Sequence, residues 1–460
     1  MDKEYKTLTW TTILFAGANI VSKLLKILLL PLYTYCLTTS EFGTAETIII
    51  TVNLLYQVFL VGVSEAALRF SLNSGYSAES VISNCFAVML TASMAGLLLF
   101  IPMARMPFFG EHIAVMYIMT VAAAVESLLK AEAKGLGENT AFAVSEIISA
   151  AALIACNALV LVVMKSGIEG YLWSIAAASA ARIIFLSIRL KLIRLIVPRT
   201  VSREMIKAIL KFSLPFMPAT ILWWIMDSSG RYLVMWFAGA SAAGIYAVAF
   251  RLSAMVTSMS VVFHQAWQLS AIRRYSQGGY ETFYRSAMES YSTLFFAGSA
   301  LLIAFAKPVI MLLDDSYKDA WRYAPVLLIA AVFFALSGLV CANYYVCERT
   351  SGVLWTSLAG ESISVLSGVI LTKTIGIQGA AIAAMLSFYM LWMIMSVHTG
   401  RMLGIRHDYV IIHVDLLIVI AETVCVLKQF SPLLTALCIA ALIIVNRKPV
   451  SRMMKGILPS

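Results

Sequence analysis

The sequence predicts an all-α integral membrane protein of about fourteen transmembrane helices, arranged as two pseudo-symmetric six-helix bundles plus two C-terminal helices. Three observations carry that prediction. Of 460 residues, 61% are apolar and 13% charged, with mean hydropathy +0.88. A soluble domain carries about 25% charged residues because its surface faces water. The apolar stretches recur along the whole chain, each roughly 18–25 residues long, the length that crosses a ~30 Å hydrocarbon core as a helix. They are continuously apolar and do not alternate with period two, so helices are expected and not a barrel. Short motifs also recur at a nearly constant offset, the mark of a duplicated unit.

Taken in order, the helices fall near 8–36, 43–66, 80–104, 112–133, 140–164, 168–188, 213–238, 242–268, 287–313, 321–347, 352–373, 377–399, 409–427 and 431–446. The first is too long for a signal peptide and has no small-residue cleavage site, so it is expected to stay as the first span. Lys and Arg are retained on the cytoplasmic side of a membrane. With the N-terminus inside, about two thirds of the 34 basic residues fall in cytoplasmic segments and few in external loops. The expectation is a multi-pass membrane protein with both termini cytoplasmic. The net charge of +10 then places basic residues at anionic headgroups, with no nucleic-acid partner implied.

Arg189, Lys191, Arg194, Arg199, Arg203, Lys207 and Lys211 form the densest basic cluster. With Pro198 it marks 191–212 as a cytoplasmic linker between an N-terminal half, 1–190, and a C-terminal half, 213–400. Residues 401–460 hold the last two helices and a tail. Ser202 to Leu210 is amphipathic, the pattern of a segment on the inner membrane surface, and the cluster reads as a topology anchor.

Three pairs of motifs support the duplication. Glu138-Asn-Thr140 and Glu348-Arg-Thr350 are 210 residues apart, and Gly167-Ile-Glu-Gly170 and Gly376-Ile-Gln-Gly379 are 209 apart. The turn Thr39-Ser-Glu-Phe-Gly43 matches Ser241-Ala-Ala-Gly244 at an offset near 201. An even number of helices per repeat keeps both halves in the same orientation, and two such halves enclose a central cleft that rocking opens to either side.

Charges inside the membrane are costly and face a cavity or a partner. In the first span Asn19, Lys23 and Lys26 share one helical face, and in the second Glu46, Asn53, Gln57 and Ser64 do so. The seventh carries Asp227 and Arg231, and the eighth carries Arg251, Ser258, Gln265 and Gln268. These four helices are repeat partners, which makes them the expected cavity lining, with Lys23, Lys26, Arg231 and Arg251 as its cationic surface. The competing reading pairs the same cations with Glu46 and Asp227 or lets them snorkel to an interface. Glu126, Glu146, Glu361 and Glu422 are further buried acids, candidates for H+ or Na+ coupling or for structural hydrogen bonding, and Arg182 is a candidate partner for one of them. Pro215 and Pro218 fall in the first turns of the seventh span, where prolines are tolerated.

Catalytic motifs are absent: there is no G-x-x-x-x-G-K-[ST] and no H-E-x-x-H. Five dispersed histidines and seven cysteines without a CxxC pair suggest no metal or disulfide site, and no cofactor is expected. The acidic loop cluster is Asp314, Asp315 and Asp319, balanced by Lys318 and Arg322. A transporter is expected, with a membrane glycosyltransferase or polymerase as the alternative of a different class.

Leu210-Lys-Phe-Ser-Leu-Pro-Phe-Met-Pro-Ala219, followed by Trp223-Trp224, Asp227 and Arg231-Tyr232, resembles the bacterial O-antigen-type polysaccharide flippases. So do Gly244-Ile-Tyr-Ala-Val-Ala249 with Arg251-Leu252, Ser40-Glu-Phe-Gly43 and Gly376-Ile-Gln-Gly-Ala-Ala381. These belong to the multidrug/oligosaccharidyl-lipid/polysaccharide (MOP) exporter superfamily. The resemblance implies transfer of an undecaprenyl-diphosphate-linked oligosaccharide to the outer leaflet, membrane lipids as surroundings and a glycan polymerase as partner. Lys23, Lys26, Arg231 and Arg251 would then hold the diphosphate, for which the arginine fork is suited. Within the superfamily a lipid II flippase shares fourteen helices and a cationic cavity. A drug/cation antiporter more typically has twelve helices and an acidic one.

Overall fold

The computed structural model describes residues 28–71, 76–106, 108–214, 217–347, 349, 351–405 and 409–451, and among them there is no strand. The chain forms two compact units, Met1–Trp224 and Ile225–Ser460.

In the first unit, α1 (Leu30–Cys36) is the described end of the first apolar stretch. The Thr38 hydroxyl accepts from the Glu41 N–H at 3.2 Å, and the Glu41 carboxylate accepts from the Thr38 N–H at 2.9 Å. That reciprocal cap starts α2 (Thr39–Leu60), so the turn motif at 39–43 is a helix-start signal. The span expected over 43–66 is interrupted. Val61 and Gly62 adopt φ of 53° and 72°, and α3 (Val63–Ser71) leaves in a new direction. A Cβ on Gly62 would meet the Ser213 carbonyl at 2.9 Å, so this turn lies close against the end of α9 (Arg203–Ser213).

Then follow α4 (Ala78–Met103), α5 (Ile113–Gly135), α6 (Asn139–Asn157) with a π-helical extension over Ala158–Val163, α7 (Gly167–Arg189) and the short α8 (Leu192–Leu195). The basic segment 191–212 is seated on α4. Asn84 donates to the Thr200 carbonyl at 3.0 Å and accepts from the Ser202 N–H at 2.9 Å, while Ser83 accepts from the Val197 N–H at 2.9 Å. Met205 and Ile209 of α9 are buried against the unit, whereas Arg203, Lys207 and Lys211 are exposed. The apolar face of this helix is covered by protein and not by lipid, and the outward face is the row of cations.

The second unit begins inside α10 (Met217–Gln277), which breaks at Gly239 (φ 86°, ψ 175°). Pro218 lies in its first turn, and Pro215 lies outside the described residues. It continues with α11 (Tyr280–Ile310), α12 (Ala324–Val346), α13 (Ser351–Leu403), α14 (Val410–Leu427) and α15 (Pro432–Val445). Helix α12 is apolar on every face, with Leu328, Phe333, Leu336 and Val340 fully enclosed, so it forms the centre of the unit with α11 and α13 around it. Helix α13 breaks at Ile375 and Gly376.

The two G-I-x-G motifs have one physical origin. Gly167 and Gly376 take φ of 57° and 62° at the turn. Three residues on, a Cβ at Gly170 would lie 2.4 Å from Val160 Cγ1, and one at Gly379 would lie 2.0 Å from the Leu371 carbonyl oxygen. The first glycine supplies a left-handed residue and the second lets the returning helix pass close to the arriving one. The third pair of motifs differs: a capped start at 38–41 stands opposite a break at Gly239.

Ten helices among the described residues are long and apolar enough to cross a membrane. Two of them, Trp224–Val261 and Ser351–Leu403, contain the breaks and each supplies two crossings. With α1 and the shorter α15, the count agrees with about fourteen.

Candidate functional site

The expected cavity residues are distributed as follows. Asn19, Lys23, Lys26 and the Gln265 side chain lie outside the described residues. In the first unit Glu46 is buried and accepts from the Tyr171 hydroxyl at 3.2 Å. The Tyr171 ring lies 4.6 Å from that of Tyr33, tilted by 50°, and the Tyr33 hydroxyl accepts from Asn157 at 2.8 Å. Glu46 is thus tied into a buried aromatic and amide cluster. Asn53 is exposed, and Gln57 donates to its backbone carbonyl at 3.1 Å, one turn back on the same helix.

In the second unit Arg231 donates to Asp227 at 3.2 Å across one helical turn, and its guanidinium lies 4.1 Å from the Phe250 ring centroid. The arginine side chain is 13% exposed and the aspartate 47%, so the pair stands at an edge with the acid outward. The Arg231 Nε is buried without a partner among the described residues. Arg251 is half-buried, further along α10. A cavity of about 30 Å³ adjoins Asp227, beside Ser229, Tyr246, Phe250 and Ser364, with Ser229 and Ser364 hydroxyls 3.2 Å apart. It has room for one or two waters. It is too small for a sugar.

The largest charged assembly among the described residues lies in the first unit, where α5, α6 and α7 meet. Arg182 bonds Glu126 with one terminal nitrogen and Glu146 with the other, the latter at 2.9 Å. Lys130 lies 3.2 Å from Glu126 and 3.8 Å from Glu146. The sequence offers Arg182 one acid; the structure gives it two and adds Lys130. The signal for Lys130 was present, since it follows Glu126 by four residues, the spacing that brings side chains together on a helix.

Other acids are enclosed with no ion pair among the described residues. Both carboxylate oxygens of Glu361 and of Glu422 have no hydrogen-bond partner among the described residues. Asp415, which the sequence reading passed over, is fully buried and accepts from Asn446 at 2.7 Å. Glu132 was also passed over; it accepts from Ser71 at 2.9 Å. Asp415 interrupts an apolar run, the signal that marks it, whereas Glu132 lies between Lys130 and Lys134 and reads as part of a charged helix end.

The loop acids 314–319 are surface structure. Asp315 pairs with Lys318, and Asp319 with Arg322 at 3.4 Å. The Asp314 carboxyl is held below the usual carboxylate range, first by the Ser316 hydroxyl and then by the Ser316 N–H.

The family described as "Polysaccharide biosynthesis protein" matches residues 9–267, more than half of the chain. No curated protein matches significantly. Among solved structures, an inward-facing MATE-family multidrug resistance transporter of the MOP superfamily is 14% identical with TM-score 0.68, covering 86% of this chain and 94% of that one. The lipid II flippase MurJ, in an inward closed conformation, is 14% identical with TM-score 0.65, covering 97% of this chain and 100% of its own. A MOP superfamily transporter from Pyrococcus furiosus, described as having a binding pocket of reverse polarity, is 14% identical with TM-score 0.61, covering 86% and 95%. Such identities establish a shared fold. The chain belongs to the polysaccharide biosynthesis protein family and is a multi-pass membrane protein that shares its fold with a MATE-family transporter of the MOP superfamily and with the lipid II flippase MurJ.

Proposed function

We propose that the protein is a flippase for an undecaprenyl-diphosphate-linked oligosaccharide. It carries this lipid from the cytoplasmic to the outer leaflet of the bacterial inner membrane, its two halves alternating access around a cationic cavity. The family match over residues 9–267 is the observation that carries this reading, because it ties the chain to polysaccharide assembly. A diphosphate-sugar headgroup needs a wet, cationic path, while its polyprenyl tail stays in lipid. In this reading Lys23, Lys26, Arg231 and Arg251 hold the diphosphate, and Asn19, Glu46, Asn53, Gln57, Asp227 and Gln265 are polar lining. Arg231 supports its assignment: its one printed bond to Asp227 uses a terminal nitrogen, and the rest of the guanidinium fork suits phosphate oxygens. A proton or sodium gradient resets the transporter through a buried acid, for which Glu361 and Glu422 are the candidates. A glycan polymerase receives the product.

The test is translocation of a fluorescently labelled lipid-linked oligosaccharide in proteoliposomes. Lys26→Ala with Arg251→Ala is expected to lower the rate tenfold or more, about 1.4 kcal/mol of lost stabilisation. Undiminished transport by that double variant would sink the cationic site. A second reading, a lipid II flippase, is favoured by the full-length overlap with MurJ, whose chain is matched end to end. Labelled lipid II in the same vesicles separates the two, and a cationic dye separates both from drug efflux.

A further inference from the structure

The turn between α12 and α13 carries a feature that the proposed transport path does not use. An open hollow of about 450 Å³ lies there, walled by Arg349, Trp355, Thr356 and His398. That volume is in the range of small-ligand sites. Arg349 is exposed and has no carboxylate partner among the described residues. His398 is oriented from behind: its Nδ1 lies 2.8 Å from the hydroxyl of Tyr344, itself fully buried, which leaves Nε2 for another partner. Gly352 keeps the floor open, since a Cβ there would fall 2.3 Å from the Tyr344 ring and 3.3 Å from His398 Cε1.

Depth selects the ligand. Helices α12 and α13 are long and apolar enough to cross a membrane, and the hollow lies where they end, which puts it at headgroup depth when they do so. Trp355 is 68% exposed one turn inside that end, the position where tryptophans mark the interface. Leu358 and Leu366 continue on the same side of α13, 41% and 65% exposed, as a track for an acyl chain running towards the membrane centre. A cation and a ring nitrogen at headgroup depth, above an aromatic ring and an apolar track, complement a phosphate ester with an attached hydrocarbon tail.

We propose that the Arg349–Trp355–His398 hollow binds the phosphate of an anionic membrane phospholipid. Arg349 forks onto the phosphate oxygens, His398 Nε2 bonds the same group and Trp355 covers the glycerol. This is a resident lipid, separate from the transported one.

The test uses the full chain in nanodiscs, with phosphatidylglycerol against phosphatidylcholine as the probe, and native mass spectrometry to count retained lipid. The wild-type protein is expected to retain phosphatidylglycerol preferentially. Arg349→Gln and Trp355→Ala should each reduce its retention about fivefold, the loss of one favourable contact at a charged lipid surface. Arg203→Gln, an exposed cation on α9, should retain it as wild type does. Equal retention by Arg349→Gln and wild type would overturn the proposal. Displacement of the lipid by excess inorganic phosphate would overturn it too, by showing a site for free phosphate. Retention is read without transport, so failure here leaves the flippase reading standing, and a failed flipping assay leaves this one standing.

Discussion

Arg182 holds two carboxylates that the first unit encloses with it, and its loss has a definite sign. Arg182→Leu leaves Glu126 and Glu146 sharing Lys130 alone, a buried charge stripped of its main partner. Removing one side of such a pair costs about 3–5 kcal/mol. The expected outcome is a large drop in the melting temperature in detergent, and an unchanged transition would show the network to be loosely solvated. Thr38→Ala tests a weaker contact. It removes the cap of α2, worth about 1 kcal/mol, and should lower stability by less than the arginine variant does. At this scale the sequence marked Glu146, Arg182, Glu361 and Glu422 as enclosed, because each interrupts an apolar run, and missed Glu132 and Asp415. It did not mark their partners. Arg182 reaches acids on α5 and α6, a pairing set by how three helices are rotated, whereas Asp227 and Arg231 meet because they are one turn apart.

Elements were legible wherever turn chemistry demanded a particular residue. Both G-I-x-G hairpins were readable as a repeat because each needs a left-handed residue and then a missing side chain. The two sites differ in what a methyl group would strike. At Gly379 it is the Leu371 backbone carbonyl, which cannot move without distorting α13; at Gly170 it is the tip of Val160, which can rotate. Gly379→Ala is therefore expected to cost about 1–3 kcal/mol, as overpacking does, and Gly170→Ala less. Thermal unfolding of the two variants side by side checks the order, and the reverse order would refute the steric account. The break after α2 was not legible. Val61 takes a left-handed conformation that nothing in its side chain announces, and Gly62 alone in an apolar run reads as a tolerated glycine. The amphipathic pattern of α9 was legible, but periodicity cannot say whether the apolar face meets lipid or protein. The bonds from Ser83 and Asn84 to its leading segment fix it on protein.

For the whole molecule, composition and the recurrence of apolar stretches were sufficient to give the helix count, since a membrane span is defined by length and hydropathy alone. The distribution of basic residues predicts an orientation that is open to a direct check. In a cysteine-free background, a cysteine replacing Lys165 is expected to react with an impermeant maleimide added to intact cells. One replacing Arg199 is expected to react only after permeabilisation. The opposite pattern would invert the topology. The network of Glu126, Lys130, Glu146 and Arg182 has an electrical consequence at this scale. A single charge moved across the membrane does work of about 2.3 kcal/mol per 100 mV. Two carboxylates and two cations bound together carry no net charge, so the unit that contains them can shift in the bilayer without this assembly coupling to the voltage. The cell's membrane potential finds nothing there to pull on.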